Sequence, residues 1–169
     1  MRLIPILAVA LALSLPLASC GKKEPDPAIA AANLAAGQAF LTKNKTEPGV
    51  VTLSQGIQYK IVTAGPPDGG TPHARDEVKV HYEGKLLDGT VFDSSFERGV
   101  PASFPLRGLV PAWIIALQKM HPGDEWIVWT PADYAYGDQD KGPIPANSVL
   151  EFRIQLIDYL PARPPTANG

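Results

Sequence analysis

The sequence predicts an α+β fold, a curled antiparallel β-sheet wrapped around one short α-helix, with a helical extension on the N-terminal side. Three observations predict it. Val78, Val80 and Tyr82 alternate with Lys79, His81 and Glu83, and Asp88-Gly89 then separates this run from Val91-Phe92-Asp93, the signature of a half-buried strand and a tight hairpin. One clear helical stretch, Val110 to Met120, sits inside a series of about six short strand-like runs. Eighteen prolines and fifteen glycines disfavour an all-helical bundle and favour strands joined by turns.

In chain order, Arg2 and the apolar run Leu3 to Leu17 have the shape of a secretory signal, too short for a comfortable membrane span. Residues 1–19 are therefore expected to lie outside the fold. Leu17-Ala18-Ser19-Cys20-Gly21 resembles the lipobox of bacterial lipoproteins. The resemblance implies cleavage before Cys20 and acylation of that residue, the only cysteine of the chain. The competing reading is an ordinary signal with an incidental cysteine. Several acyl chains on one residue make a stable anchor, since each buried methylene contributes about 0.8 kcal/mol. Gly21, rather than an aspartate, follows the cysteine, which by the same resemblance implies an outer-membrane destination facing the periplasm.

Residues 20–27 read as a tether. Asp26 suits a helix N-cap and Pro27 the first helical position, so a helical segment is expected within 28–48. Its apolar stripe is thin and Gly37 weakens it. It can lean on the main domain, pair with a second copy or hang free. Val50 to Leu53, Ile57 to Thr63, Ala102 to Leu106, Glu125 to Thr130 and Val149 to Ile157 complete the strands, in a domain expected to span 49–160. Pro111, Trp113, Leu117 and Met120 set the phase of the inner helix. The tail 161–169 is proline-rich and expected to be disordered.

The net charge of −2, with dispersed signs, lacks the basic stripe that a nucleic-acid surface needs. No phosphate loop, Gly-x-Ser-x-Gly elbow or Cys-x-x-Cys pair is present, and the histidines at 73, 81 and 121 have no metal-ligand spacing. Neither a metal nor a cofactor is expected. What remains is a supply of rings and aliphatic groups near loops: Tyr82, Phe92, Phe104, Trp113, Tyr136, Ile144 and Phe152. Such a set fits a pocket for an apolar ligand, although on Val78 to Ser95 alone core packing is the favoured explanation.

Val80-His-Tyr-Glu-Gly84, Gly89-Thr-Val-Phe-Asp-Ser94, Leu109-Val-Pro-Ala-Trp113, Tyr134-Ala-Tyr-Gly137 and Ile144-Pro-Ala-Asn-Ser-Val-Leu-Glu-Phe152 resemble, in order and spacing, the FKBP-type peptidyl-prolyl cis-trans isomerases. Phe40 to Asn44 and Gly56 to Lys60 are similar to the domain entry of the bacterial macrophage-infectivity-potentiator branch. The resemblance implies rotation about X-Pro bonds in exported polypeptides, with Tyr82, Phe92, Asp93 and Tyr136 as catalytic residues. It implies that Phe104, Leu109, Val110, Trp113, Ile144 and Phe152 bind the substrate, with the Ile144 amide holding the peptide chain. Binding of macrolide inhibitors is a further implication. Ala112, where a glycine is usual, and the acidic stretch Asp138 to Lys141 depart from the pattern. Two other readings stand beside this one: a chaperone that holds extended apolar segments in the same cleft without catalysis, and a structural envelope lipoprotein.

Overall fold

The computed structural model describes residues 24–162. The expected signal over 1–19, Cys20 and the residues from 163 onward lie outside the described residues. Helix α1 spans Pro27–Asn44 and strands β1 and β2 span Val50–Thr52 and Gln58–Thr63. Strand β3 is Glu77–Leu86, β4 is Val91–Ser94, α2 is Ser95–Arg98 and β5 is Ala102–Pro105. Helix α3, Pro111–Leu117, precedes β6, Glu125–Thr130, and β7, Leu150–Leu160. Seven strands thus stand where about six were expected.

The strands form one sheet in the order β1-β2-β6-β7-β3-β4, with β5 also on β3 and every pairing antiparallel. Strand β3 is its hub. It pairs with β7 along its length, with β5 through Glu77–Val80 and with β4 through Glu83–Lys85. The alternation read in the sequence is what faces the core: Val78, Val80 and Tyr82 from β3 and Leu150, Phe152, Ile154 and Leu156 from β7 are buried. Helix α3 presses Ala112, Trp113, Ala116 and Leu117 against them. Pro111 starts this helix, and it ends three residues before Met120, which stays buried on the following turn. One layer of sheet and one helix are thereby enough to bury both apolar faces.

The hairpin differs from the simplest expectation. Gly89 has φ +90° while Asp88 does not reach the left-handed region, so a two-residue turn of the primed type is excluded. The Gly89 amide instead donates to the Leu86 carbonyl at 3.0 Å and the Leu86 amide to Thr90 at 2.9 Å. That pattern is the longer loop, closed by a glycine bulge.

Helix α1 takes the first of its three options. Asp26 caps it, accepting from the Ala28 amide at 2.9 Å. The helix docks on the outer side of the sheet largely through polar contacts that an apolar-stripe reading could not see. Asn33 donates to the Ala146 carbonyl at 2.9 Å, Asn147 to the Ala30 carbonyl at 3.3 Å, and Gln58 to the Leu41 carbonyl at 2.8 Å. The Asn44 amide donates to Gln58 at 2.9 Å, and Phe40 tilts on Trp129 at 6.4 Å. Of the larger apolar residues of the helix, Ile29 and Leu34 stay exposed while Phe40 and Leu41 are partly buried. Gly37 is buried because Val149 lies on it: a Cβ there would sit 2.6 Å from Val149 Cγ2. The glycine that weakens the isolated helix is what lets it approach.

Gly37→Ala therefore opposes two effects, a propensity gain of about 1 kcal/mol and an overpacking penalty of about 1–3 kcal/mol against a stiff valine. A net loss of about 1 kcal/mol in urea unfolding is expected, with faster proteolysis between α1 and β1. A gain in stability would show that the helix is not seated there.

At the other end, the Ala162 amide donates to the buried carboxylate of Asp76 at 2.9 Å. The first residues of the expected disordered tail are thus tied to the start of β3.

Candidate active site

A cavity of about 270 Å³ opens between β3, β4, β5 and α3, lined by Tyr82, Phe92, Asp93, Phe104, Gly108, Leu109, Val110, Trp113, Tyr136 and Phe152. Nine of the ten residues expected at the site are brought together there. Trp113, in the first turn of α3, forms its floor and stands edge-on to three rings: Tyr82 at 5.3 Å, Phe152 at 5.3 Å and Phe104 at 6.4 Å. Tyr82 meets Phe104 at 6.0 Å, and Phe92 meets Phe152 at 5.8 Å with the planes at 87°. Perpendicular ring pairs of this kind contribute about 0.5–1.5 kcal/mol each beyond the area they bury.

Local backbone irregularity aims these groups. Strict alternation would send Phe92 and Asp93 to opposite faces of β4. The register shifts between Gly84–Asp93 and Lys85–Val91, leaving Phe92 as the extra residue of a β-bulge, and both side chains reach the cavity. Gly84 makes the room. A Cβ at that position would lie 2.5 Å from Phe92 Cζ and 2.9 Å from Phe152 Cε1, so no side chain fits beneath the two rings.

The tenth expected residue stands apart from the other nine. Ile144 is buried in the core and is not among the residues lining the cavity. Its amide, expected to hold a peptide, donates at 3.0 Å to the Lys141 carbonyl and is already committed to that turn. Val110, by contrast, lines the cavity as the N-cap of α3, and its amide has no acceptor among the described residues. An uncommitted backbone donor of this kind leaves no trace in a sequence.

Arg98 was also missed. Ser94 caps α2 by accepting from the Glu97 amide at 3.2 Å, and this single turn folds Arg98 back over β4. There it donates to Asp93 Oδ1 and, at 3.1 Å, to the Tyr82 hydroxyl, which in turn donates to Asp93 Oδ2. The capping pattern Ser94-x-x-Glu97 was the readable signal. Both Asp93 oxygens are thus occupied. Burial raises the Asp93 pKa, but the hydrogen bonds from Tyr82 and Arg98 outweigh it and hold the carboxyl below its usual range. Burial, with the hydrogen bond to Asp93 adding to it, raises Tyr82; burial and the Asp93 charge raise Tyr136. Tyr136 stands at the mouth, 37% exposed.

The directions fix a pH dependence. A lowered Asp93 is ionised above the ordinary carboxylate range, and raised Tyr82 and Tyr136 stay neutral beyond the ordinary phenol range. Turnover is expected to be flat from about pH 5 to pH 9 and to fall only in acid, as Asp93 protonates and the Tyr82 bond loses its charged acceptor. The kcat/KM profile on a peptide without titrating groups checks this; a limb between about pH 6 and 7 would point to a histidine instead.

Among the described residues no group of three or more His, Cys, Asp or Glu is placed to hold a metal ion. The arrangement binds an apolar ring against aromatic edges, with a donor amide at one side and a carboxylate held ionised at another. It defines a protein with a ring-lined pocket for a compact apolar group flanked by polar ones.

Comparison with known proteins agrees with that class. Residues 69–157 match the family model described as FKBP-type peptidyl-prolyl cis-trans isomerase, and residues 19–61 match the domain amino-terminal to it. The chain belongs to the FKBP-type peptidyl-prolyl cis-trans isomerases. It is 48% identical over 126 residues to the peptidyl-prolyl cis-trans isomerase Mip of Coxiella burnetii, covering 74% of this chain and 54% of that protein. Against the outer membrane protein MIP of Legionella longbeachae the identity is 49% over 126 residues, covering 74% and 53%. The crystal structure of FkpA from Escherichia coli superposes with a TM-score of 0.76 at 40% identity, covering 80% of this chain and 63% of that one. The chain spans about half the length of these curated relatives.

Proposed function

We propose that this chain catalyses cis–trans rotation about X-Pro bonds in polypeptides outside the cytoplasm, while held to the bacterial envelope by lipid on Cys20. The observation that carries the reading is the ring-lined hollow itself, with Trp113 as floor and Phe92 and Phe152 as walls. The barrier to rotation, about 18–20 kcal/mol, is amide resonance, and no covalent bond need form or break to lower it. The planar amide has the larger charge separation. Transfer from water into an apolar cavity therefore raises the ground state more than the twisted transition state, which is differential binding.

The rings take the prolyl side chain in this reading. Tyr82, Asp93 and Tyr136 bias the carbonyls beside it, and the Val110 amide takes a peptide carbonyl. Uncatalysed X-Pro exchange lasts tens of seconds or longer, slow enough to delay folding of exported chains. The name of the Legionella longbeachae relative, an outer membrane protein, supports the envelope assignment. The domain organisation belongs to the same proposal: a cleaved signal over 1–19, a tether to 27, a helical segment to 48 and the isomerase domain over 49–160.

The test is relaxation of a short X-Pro peptide after a solvent jump, with the full mature chain at catalytic concentration. Acceleration that saturates with peptide is expected. A rate equal to buffer, with unfolded protein still bound, would overturn the proposal in favour of a holding chaperone. Metabolic labelling with palmitate, lost in Cys20→Ser, tests the anchor.

A further inference from the structure

Strand β3 has a gap on its active-site edge. Strand β5 pairs with it as far as Val80 and β4 begins at Glu83, so His81 and Tyr82 have no strand neighbour on that side. The side chain of Ser95, fully buried, fills the gap. Its Oγ accepts the Tyr82 amide at 2.7 Å and lies 3.2 Å from the Tyr82 carbonyl and 3.0 Å from His81 Nδ1. The hydroxyl proton serves one of the last two while the lone pairs receive the amide. Ser94, not Ser95, caps α2, so the Ser95 hydroxyl is left for this purpose.

We propose that Ser95 is a positioning residue for the isomerase site: a side chain standing in for a missing strand, which fixes the Tyr82 backbone while Asp93, two residues earlier, holds the Tyr82 hydroxyl. The segment 93–95 thereby grips Tyr82 at both ends. If the backbone end slips, the phenol moves off Asp93 and the carboxylate loses one of its two donors. His81, stacked on Phe96 at 4.9 Å, closes the hydroxyl from the outer side of the sheet.

The inference rests on the isomerase reading for its activity arm only; two other readouts do not. In the wild-type chain, hydrogen exchange of the Tyr82 amide should be as slow as that of the strand-paired amides of 83–85. In Ser95→Ala, the carbon-13 titration midpoint of the Asp93 carboxyl should rise toward the ordinary range, and kcat/KM on a prolyl peptide should fall about tenfold. Ser95→Thr, which keeps a hydroxyl, should stay within about threefold of wild type in kcat/KM. Leu156→Val, a core change at a residue that does not line the cavity, controls for stability and should leave the Asp93 midpoint in place. A folded Ser95→Ala protein with an unmoved Asp93 midpoint overturns the proposal. Should that variant not fold, fast exchange of the Tyr82 amide in the wild type overturns it and slow exchange upholds it. A shifted Asp93 in a chain that never accelerates the peptide would instead fault the isomerase reading and leave Ser95 as the holder of Tyr82.

Discussion

Phe92→Ala is expected to lower kcat/KM on a short prolyl peptide about a hundredfold while the protein remains folded. Phe92 is half-buried: it rests edge-on against Phe152 above the bare backbone of Gly84 and turns its other side to the cavity. Burying a prolyl ring on such a wall is worth about 2–3 kcal/mol, and 1.36 kcal/mol is tenfold in rate, so losing the wall removes one and a half to two decades. Water entering the enlarged hollow adds to the loss, because a hydrated site no longer penalises the planar amide. The fold loses less, about 2 kcal/mol, since only one side of this ring is packed. Peptide relaxation beside urea unfolding separates the two quantities. A variant that loses stability but keeps its kcat/KM would show that Phe92 is core and nothing more.

The split between Phe92 and its neighbours explains what the sequence could and could not tell. Periodicity made β3, β6, β7 and α3 legible, because Val78–Tyr82, Leu150–Leu156 and the Trp113–Leu117–Met120 spacing each record one buried face. The bulge at Phe92 left no such record, since strict alternation assigns Phe92 and Asp93 to opposite faces. Family resemblance supplied what periodicity missed, and nine of its ten pocket residues line one hollow. The tenth, Ile144, lies elsewhere, with its amide bonded within a turn.

Two glycines carried information of a kind that composition hides. Gly37 read as a flaw in a helix and Gly84 only as one position of a motif, yet each is small because a neighbour lies against it: Val149 in one case, Phe92 and Phe152 in the other. Arg98 was readable in principle through the Ser94–Glu97 cap, but only the folded turn reveals that it ends on Asp93.

Trp113→Ala is expected to take the larger toll on the fold, about 3–5 kcal/mol in urea unfolding, which is a large share of the roughly 5–15 kcal/mol that a domain possesses. Trp113 is only 4% exposed and is the ring on which Tyr82, Phe104 and Phe152 all stand edge-on. Its Nε1 is buried without a hydrogen-bond partner among the described residues, so the truncation forfeits no polar contact there and its effect is packing. The same fact separates a second substitution from the first. Trp113→Phe keeps a ring on the floor and removes an unpaired N–H whose burial is itself unfavourable by about 1–3 kcal/mol, offsetting part of the lost volume. The phenylalanine variant should therefore cost no more than about 1–2 kcal/mol, and its peptide turnover should fall far less than that of the alanine variant. Equal losses for the two would mean that the indole nitrogen has a partner; an alanine variant as stable as wild type would mean that the four rings do not share one core.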